Sequence, residues 1–149
     1  MKYLFSFYFL LLILQSCAQP VTDDNYIKDN YLKKEYRIAM RDGVRLFTSV
    51  YIPKDATQAY PVLLQRTPYS VAPYGENNYR KRLGPNNLFI KEKYIFVYQD
   101  VRGRHMSEGQ FKEMTPAIDN KKDTQVDESS DTYDTVDWLV KNASFNIIN

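Results

Sequence analysis

Residues 36–52 have the sequence YRIAMRDGVRLFTSVYI, in which two apolar runs flank Arg41-Asp42-Gly43. An Asp-Gly pair between two strand-like runs is a strong hairpin signal. We therefore predict two antiparallel strands, at 36–40 and 44–52, joined by a short turn. The second run alternates with a period of two, which is typical of a half-buried strand, and this alternation places on one face Val44, Leu46, Thr48, Val50 and Ile52. Proline lacks a backbone donor, so we expect Pro53 to end this strand.

Two apolar runs further along the chain predict the parallel part of the sheet. They lie at 61–65 and 94–98, and neither alternates, as expected of strands that are covered on both faces. The connection between them is too long for a hairpin, so it must cross over the sheet. Within this connection, 77–82 and 86–93 are helical candidates. An antiparallel pair that leads into parallel strands is an α/β architecture.

A last helix is predicted at 130–140. We expect Ser130 or Asp131 to cap its start, and Lys141-Asn142 suits its end. Apolar residues three and four apart predict a buried face that consists of Tyr133, Val136, Val140 and the adjacent Leu139. The next strand of such a sheet should begin near Asn149, so we expect the sequence to be truncated there.

Composition and charge exclude one class of function. The apolar share is 44%, and 13 tyrosines and 8 phenylalanines suit a packed sheet better than a disordered tail. The net charge is +2, and acidic and basic residues are interspersed. A nucleic-acid-binding domain needs a basic stripe or patch, so we expect no nucleic-acid partner.

Residues 1–18 predict a signal peptide. Lys2 precedes an apolar run at 3–14 that is too short to span a bilayer comfortably, and small residues follow it. Two processing routes stay open. One is ordinary cleavage before Gln19, and the other is lipidation of Cys17, since Leu14-Gln15-Ser16-Cys17 resembles a bacterial lipobox. Both routes predict an exported protein, either secreted or in the periplasm or cell envelope, that touches a membrane only through such an anchor.

Residues 19–34 are polar and charged without apolar periodicity, which predicts a tether between the leader and a folded part that begins at Glu35. Cys17 is the only cysteine, so no disulfide can form within the chain. The folded part must therefore rely on its packed core.

Two segments lie where an open α/β sheet binds its ligands, beyond the carboxyl ends of the parallel strands. Arg66-Thr67-Pro68-Tyr69-Ser70 follows the first predicted parallel strand, and Asp100-Val101-Arg102-Gly103-Arg104-His105 follows the second. Together they form the candidate site.

These segments belong to a series of motifs that occur in the same order in a known family. The motifs are RTPY at 66–69, YQDVRGR at 98–104, SEG at 107–109, DESSD at 127–131 and DTVDWL at 134–139, with MRDGVRL at 40–46 in the opening hairpin. Through them, the chain resembles the N-terminal part of the CocE/NonD serine hydrolases, which are similar to the X-Pro dipeptidyl-peptidases. The loop sequences are most like those of the α-amino acid ester hydrolases. The resemblance implies that 35–149 forms part of an α/β-hydrolase fold and ends before the nucleophile elbow.

The resemblance also implies a serine–histidine–aspartate triad and an oxyanion hole made partly by a tyrosine hydroxyl. Here that tyrosine is Tyr69, whose O–H would stabilise the negative charge of an acyl-transfer intermediate. The alternative is that Tyr69 only packs at a strand end. No serine lies in a Gly-x-Ser-x-Gly context, so we expect the triad's serine, aspartate and histidine outside this chain.

The remaining candidates are expected to be structural. His105, with Ser107 nearby, is expected to be a loop residue. Asp100 and Arg102 are expected to tie their turn together as an ion pair. The dense acidic run is expected at the helix start and on its solvent face, and it consists of Asp127, Glu128, Asp131, Asp134 and Asp137. With one histidine and one cysteine, we expect no metal site and no cofactor.

The leading hypothesis is the N-terminal part of an exported serine hydrolase that cleaves small-molecule esters, amides or peptides, with α-amino acid derivatives as one class. An X-Pro dipeptidyl-peptidase is the second enzyme hypothesis. A non-catalytic surface lipoprotein that binds through the same sheet is the alternative from another class. Because the nucleophile is missing, the chain alone is expected to be inactive.

The leader gives the first testable prediction. We expect the mature protein to lack residues 1–16, because the signal peptidase that acts on either route removes them. Mass spectrometry of cell-envelope material should find a lipidated Cys17 or an unmodified Gln19 at the N-terminus. An intact Met1 on a cytoplasmic protein would contradict export.

Overall fold

A computed structural model of the chain describes residues 25–55, 57–113 and 115–142. Its elements in chain order are α1 (Tyr26–Asn30), β1 (Tyr31–Ala39), β2 (Arg45–Pro53), β3 (Val62–Thr67), α2 (Asn87–Lys91), β4 (Ile95–Asp100) and α3 (Glu128–Lys141). The strands form one mixed sheet in the order β1-β2-β4-β3. β1–β2 and β2–β4 are antiparallel, and β3–β4 is parallel. The predicted α/β architecture is confirmed. Within these residues, no helix is long and apolar enough to cross a membrane.

The predicted hairpin forms at the Asp-Gly pair. The Met40 N–H donates to the Val44 carbonyl at 2.8 Å, and the Gly43 N–H donates to the Met40 carbonyl at the same distance. Gly43 has φ +84°, in the left-handed region that glycine adopts without a Cβ penalty. The loop is therefore the three-residue type with glycine in the left-handed position.

The folded part begins earlier than the predicted boundary at Glu35. Residues 26–34, which were predicted to belong to the tether, form α1 and the first part of β1. Ile27 and Tyr31 are buried, and the Tyr31 hydroxyl donates to the Ile90 carbonyl at 3.0 Å. The polar sequence of this segment does not reveal its core positions, one of which is the buried Lys33. The predicted signal peptide, Cys17 and residues 19–24 of the tether lie outside the described residues.

β2 is buried on both faces, so the prediction of a half-buried strand was wrong. The face that carries Leu46 and Val50 packs towards α3, where Leu139 is buried. The other face carries Phe47 and Tyr51, and the crossover between β3 and β4 covers it. The alternation along β2 separates aliphatic from aromatic residues, and both kinds reach the core.

The crossover is held by tyrosine hydroxyls. The N–H groups of Arg80 and Gly84 donate to the hydroxyls of Tyr51 and Tyr98 at 3.2 and 2.8 Å. The helix predicted at 77–82 is therefore wrong, since these N–H groups pair with side chains. The second predicted helix forms as α2, and the Asn86 side chain caps it.

β3 is one of the two edge strands of the described sheet and is only partly covered. Leu63 and Leu64 are half-buried and Gln65 is exposed, whereas β4 is buried along its whole length. The prediction that both strands are covered on both faces holds for β4 and is wrong for β3. Beside the β3 edge lies an open groove lined by Leu63, Leu64, Gly84, Pro85 and Phe96.

The buried face of α3 agrees with the prediction only at Leu139. Tyr133, Val136 and Val140 are exposed, and the buried positions are Ser130, Asp131, Thr135 and Leu139. The helix begins at Glu128, two residues before the predicted start, and its cap is Asp127 instead of Ser130 or Asp131. Polar side chains face the sheet here because buried polar groups on the strands need partners.

The open edge of β3 predicts that residues 19–149, expressed alone, aggregate through unpaired backbone groups and uncovered apolar side chains. Gln65→Lys should reduce aggregation in dynamic light scattering, because a lysine on an edge strand opposes edge-to-edge pairing. Gln58→Lys is the matched control, since it adds the same charge at an exposed loop position. A monodisperse monomer with a sharp thermal transition would contradict this prediction.

Candidate active site

The two predicted site segments meet at one edge of the sheet. β3 and β4 are parallel neighbours whose register pairs Thr67 with Asp100, so both strands end at the same level. The Val101 N–H donates to the Thr67 carbonyl at 3.1 Å, which continues the pairing into the loops. The topology therefore brings residues 67–74 and 100–107 together, as the sequence predicts.

Tyr69 lies in the loop that leaves β3. Its backbone N–H donates to the Thr67 hydroxyl at 3.0 Å, which fixes a tight turn at the strand end. Its side chain is 78% exposed, so Tyr69 is not a packing residue within the described structure. The phenol is available to a ligand at the carboxyl end of the parallel strands.

Asp100 joins the two loops through a buried carboxylate. Oδ1 accepts the Val71 N–H at 3.0 Å, and Oδ2 accepts the Tyr74 hydroxyl at 3.0 Å and the Met106 N–H at 3.2 Å. Burial, together with this hydrogen bond to Asp100, raises the pKa of Tyr74, so its hydroxyl stays protonated and donates. The structural role that was expected of Asp100 is confirmed, but the partners differ.

The predicted ion pair between Asp100 and Arg102 is wrong. Arg102 instead pairs with Asp42 in the hairpin turn, at 2.8 Å, and with Asp131 on α3, at 2.7 Å. Hydrogen bonds from the guanidinium to these two carboxylates raise the pKa of Arg102 further above its usual range. Since Asp131 is buried, this pair links the hairpin, the β4 loop and α3 through a charge that is shielded from water.

Arg66, the first residue of the RTPY motif, faces away from Tyr69 and holds α3. Its Nε donates to Gln99 Oε1 at 2.6 Å, and its Nη1 donates to Glu128 Oε2 and Thr132 Oγ1, both at 2.7 Å. Gln99 Nε2 in turn donates to Thr48 and Thr135 hydroxyls at 2.9 Å. The interface between the sheet and α3 is therefore a connected polar network.

The acidic run begins at the start of α3, as predicted, but most of its members do not form the predicted solvent face. Four of its members pair with distant parts of the fold or cap the helix, and they are Asp127, Glu128, Asp131 and Asp134. Only the pair between Asp137 and Lys141 lies along the exposed helix surface. Burial opposes ionisation of Asp127, but hydrogen bonds from Lys121 and from the Ile118 and Ser130 N–H groups hold its pKa well below the usual range.

His105 and Ser107 have separate partners, as expected of loop residues. The Ser107 hydroxyl donates to the Asp100 carbonyl at 2.6 Å and accepts the Phe47 N–H at 2.8 Å. His105 Nε2 contacts the Pro68 carbonyl oxygen at 3.1 Å. Among the described residues, no group of three or more His, Cys, Asp or Glu side chains is arranged to hold a metal ion.

A cavity of about 460 Å³ lies elsewhere, between the segment after β4 and the start of α3. It is lined by Arg102, Lys112, Ile118, Asp127 and Asp131, among others, and Tyr69 is not in its wall. The two most buried carboxylates there are already paired, Asp131 with Arg102 and Asp127 with Lys121. This cavity is therefore separate from the candidate site around Tyr69.

A sequence model of the X-Pro dipeptidyl-peptidases (S15 family) matches residues 42–146. The chain belongs to this family. A cocaine esterase from Rhodococcus sp. (strain MB1 Bresler) is 36% identical over 110 residues, which are 71% of this chain and 16% of the esterase. This S15 chain therefore spans about a sixth of that relative.

Two solved structures share the fold of this S15 chain. An α-amino acid ester hydrolase matches with a TM-score of 0.67 and 34% identity, over 87% of this chain and 23% of the hydrolase. An aminopeptidase from a marine sediment archaeon, Thaumarchaeota archaeon, matches with a TM-score of 0.66 and 38% identity, over 88% of this chain and 22% of the aminopeptidase. The resemblance to the CocE/NonD hydrolases and their α/β-hydrolase fold is confirmed.

Sequence reasoning missed the partners of the site residues more than the residues themselves. Arg102, Asp42 and Asp131 come from three elements far apart in the chain, so no local signal could pair them. The same holds for Arg104, whose Nε donates to the Pro68 carbonyl at 3.2 Å. Gly103, directly before Arg104, was a sequence sign of a turn in this loop.

Removing Arg102 should destabilise this S15 chain by about 3 kcal/mol, because a buried Asp131 keeps only a 3.9 Å contact with Arg66. The measurement is urea unfolding of dilute Arg102→Met in the Gln65→Lys background, which opposes aggregation, followed by the fluorescence of Trp138, the single tryptophan, which packs on Tyr36.

Lys141→Met in the same background is the control, since it breaks an exposed i, i+4 pair and should cost much less stability than the loss of Arg102. Equal losses of unfolding free energy in the two variants would contradict the claim that the buried Arg102–Asp131 pair stabilises the fold more than an exposed pair does.

Proposed function

We propose that the chain is the N-terminal part of an exported serine hydrolase in which Tyr69 donates a hydrogen bond to the oxyanion of acyl transfer. The observation that carries the proposal is an exposed phenol on a fixed backbone. Tyr69 is 78% exposed, while its N–H donates to Thr67 Oγ1 and the loop around it is tied to Asp100.

The geometry suits this chemistry for an electrostatic reason. An oxyanion donor must be in place before charge develops, because a donor that reorients during the reaction loses part of its stabilisation. The Asp100 carboxylate holds the backbone on one side of Tyr69 and Thr67 holds it on the other. The position at the end of the parallel strands is where α/β sheets bind ligands.

In the complete enzyme, a serine outside this chain attacks the acyl carbon, and a histidine takes the serine proton. The carbonyl electron pair moves to oxygen, and the Tyr69 hydroxyl donates to that oxygen. The intermediate collapses as the leaving alcohol or amine takes the proton from histidine, and water repeats the sequence to release the acid.

The substrate class follows from the relatives. Their names describe hydrolysis of an ester in cocaine esterase, of α-amino acid esters, and of peptides by an aminopeptidase. All three reactions pass through an acyl carbon that acquires an oxyanion. We propose small esters, amides or peptides as substrates, and peptides that begin with X-Pro, from which the family name describes release of the dipeptide, are one such class.

Export is part of the proposal and rests on residues 1–18. The Lys2–apolar–small-residue pattern supports a signal peptide, and Cys17 supports a lipid anchor. α1 begins at Tyr26, so a lipidated Cys17 leaves only a few residues between the anchor and the fold.

Tyr69→Phe in the complete hydrolase should lower kcat by roughly 10²–10³-fold, the usual loss for one oxyanion donor. The ring stays and only the hydroxyl is removed, so the thermal transition should not move. Steady-state hydrolysis of an activated ester measures the effect.

Tyr133→Phe is the matched control, because it removes another exposed phenol, on α3, and should leave kcat unchanged. The 149-residue chain should neither hydrolyse the ester nor react with a fluorophosphonate probe. Unchanged turnover in Tyr69→Phe would refute the site, and activity of the 149-residue chain would refute the external nucleophile.

A further inference from the structure

We propose that Arg104 and His105 are positioning residues for Tyr69, because both bind the carbonyl oxygen of the peptide that enters it. The inference rests on the proposed function and adds the groups that set the direction of the donor. Pro68 O lies 3.2 Å from Arg104 Nε and 3.1 Å from His105 Nε2.

The two contacts act on the peptide plane between Pro68 and Tyr69. Its oxygen is held by Arg104 and His105, and its N–H, on Tyr69, is held by Thr67 Oγ1 at 3.0 Å. A peptide unit is planar, so fixing its oxygen and its N–H fixes the plane and the position of the Tyr69 Cα. The hydrogen bond from the Val71 N–H to Asp100 restrains the chain on the other side of that Cα, and the two restraints together set the direction of the Tyr69 Cα–Cβ bond. The Tyr69 side chain therefore takes its direction from the β4 loop.

This backbone control matters because the ring has little side-chain packing to hold it. A buried aromatic is kept in place by its neighbours, whereas Tyr69 is 78% exposed. The hydroxyl lies at the far end of the ring, so a small rotation of the peptide plane produces a larger displacement of the donor.

The β4 loop is shaped to make both contacts. His105 has φ +49°, a left-handed conformation that non-glycine residues adopt rarely and that tends to occur at functional sites. Arg104 packs its guanidinium over the Phe111 ring at 4.6 Å, which holds the side chain beside Pro68. Because a carbonyl oxygen only accepts, His105 must carry a proton on Nε2 in this contact.

A matched pair of substitutions in the complete hydrolase tests the role of His105. Gln places an amide nitrogen near the former Nε2, whereas Asn is one methylene shorter and does not reach Pro68. His105→Asn should lower kcat roughly 10-fold with KM unchanged, since misplacing a donor by a fraction of an ångström weakens only the transition state.

His105→Gln should recover most of the lost kcat. Asn tolerates the left-handed backbone better than Gln does, so backbone preference alone predicts a higher kcat for His105→Asn than for His105→Gln. Adding Arg104→Met to His105→Asn should deepen the loss to about 10²-fold, because the Pro68 carbonyl then has neither donor. Thermal unfolding of each variant identifies losses that come from misfolding.

A double-mutant cycle with Tyr69→Phe separates this inference from the proposed function. If His105 acts through Tyr69, His105→Asn should cause no further loss once the phenol is gone. Additive losses, a change confined to KM, or equal kcat values for the Asn and Gln variants would overturn the positioning role while leaving the Tyr69 assignment intact. An unchanged kcat in Tyr69→Phe alone would overturn both.

Discussion

The buried carboxylate of Asp100 holds the two site loops to each other. A charge in the interior is unfavourable unless hydrogen bonds replace its lost water. Asp100 obtains three such bonds, from Val71, Tyr74 and Met106, and all three donors belong to the two loops. If either loop moved away, the buried Asp100 carboxylate would lose hydrogen-bond donors, so the two loops are held in position. The parallel pairing of β3 with β4 places this carboxylate where it reaches both loops at once.

A second polar layer extends from the sheet to α3. Gln99 binds Arg66, Thr48 and Thr135, and Arg102 pairs with Asp131. Networks of this kind add little net stability compared with apolar packing, but each member accepts only a few geometries. α3 is thus set in one rotation about its axis, with Thr135 towards the sheet and Tyr133 towards solvent.

Sequence patterns predicted elements that depend on nearby residues. The hairpin was predictable because the Asp42-Gly43 pair determines its turn locally, and β4 was predictable from its apolar composition. The face of α3 was not predictable. The periodicity rule assumes that apolar residues turn inward, whereas here Asp131 and Thr135 turn inward to bind partners on the sheet and in the loop after β4. The start of β1 was missed for a similar reason, since residues 19–34 lack apolar periodicity although Lys33 among them is buried. In the site, a motif identified Tyr69, whereas the partners of Asp100 and Arg102 depend on tertiary contacts that no spacing encodes.

Lys33 connects the N-terminal strand to the loop that leads away from the site. Its ammonium group is buried and donates to the carbonyls of Pro73, Gly75 and Asn78 at 2.6–2.9 Å. These carbonyls belong to a stretch without helix or strand. The Lys33 side chain supplies the hydrogen-bond donors that a neighbouring strand would supply in a sheet. A protease that trimmed the chain past Lys33 would leave three carbonyls without their donor, on both sides of Tyr74. Any trimming of the N-terminus therefore has an inner limit, because the fold cannot lose its first strand.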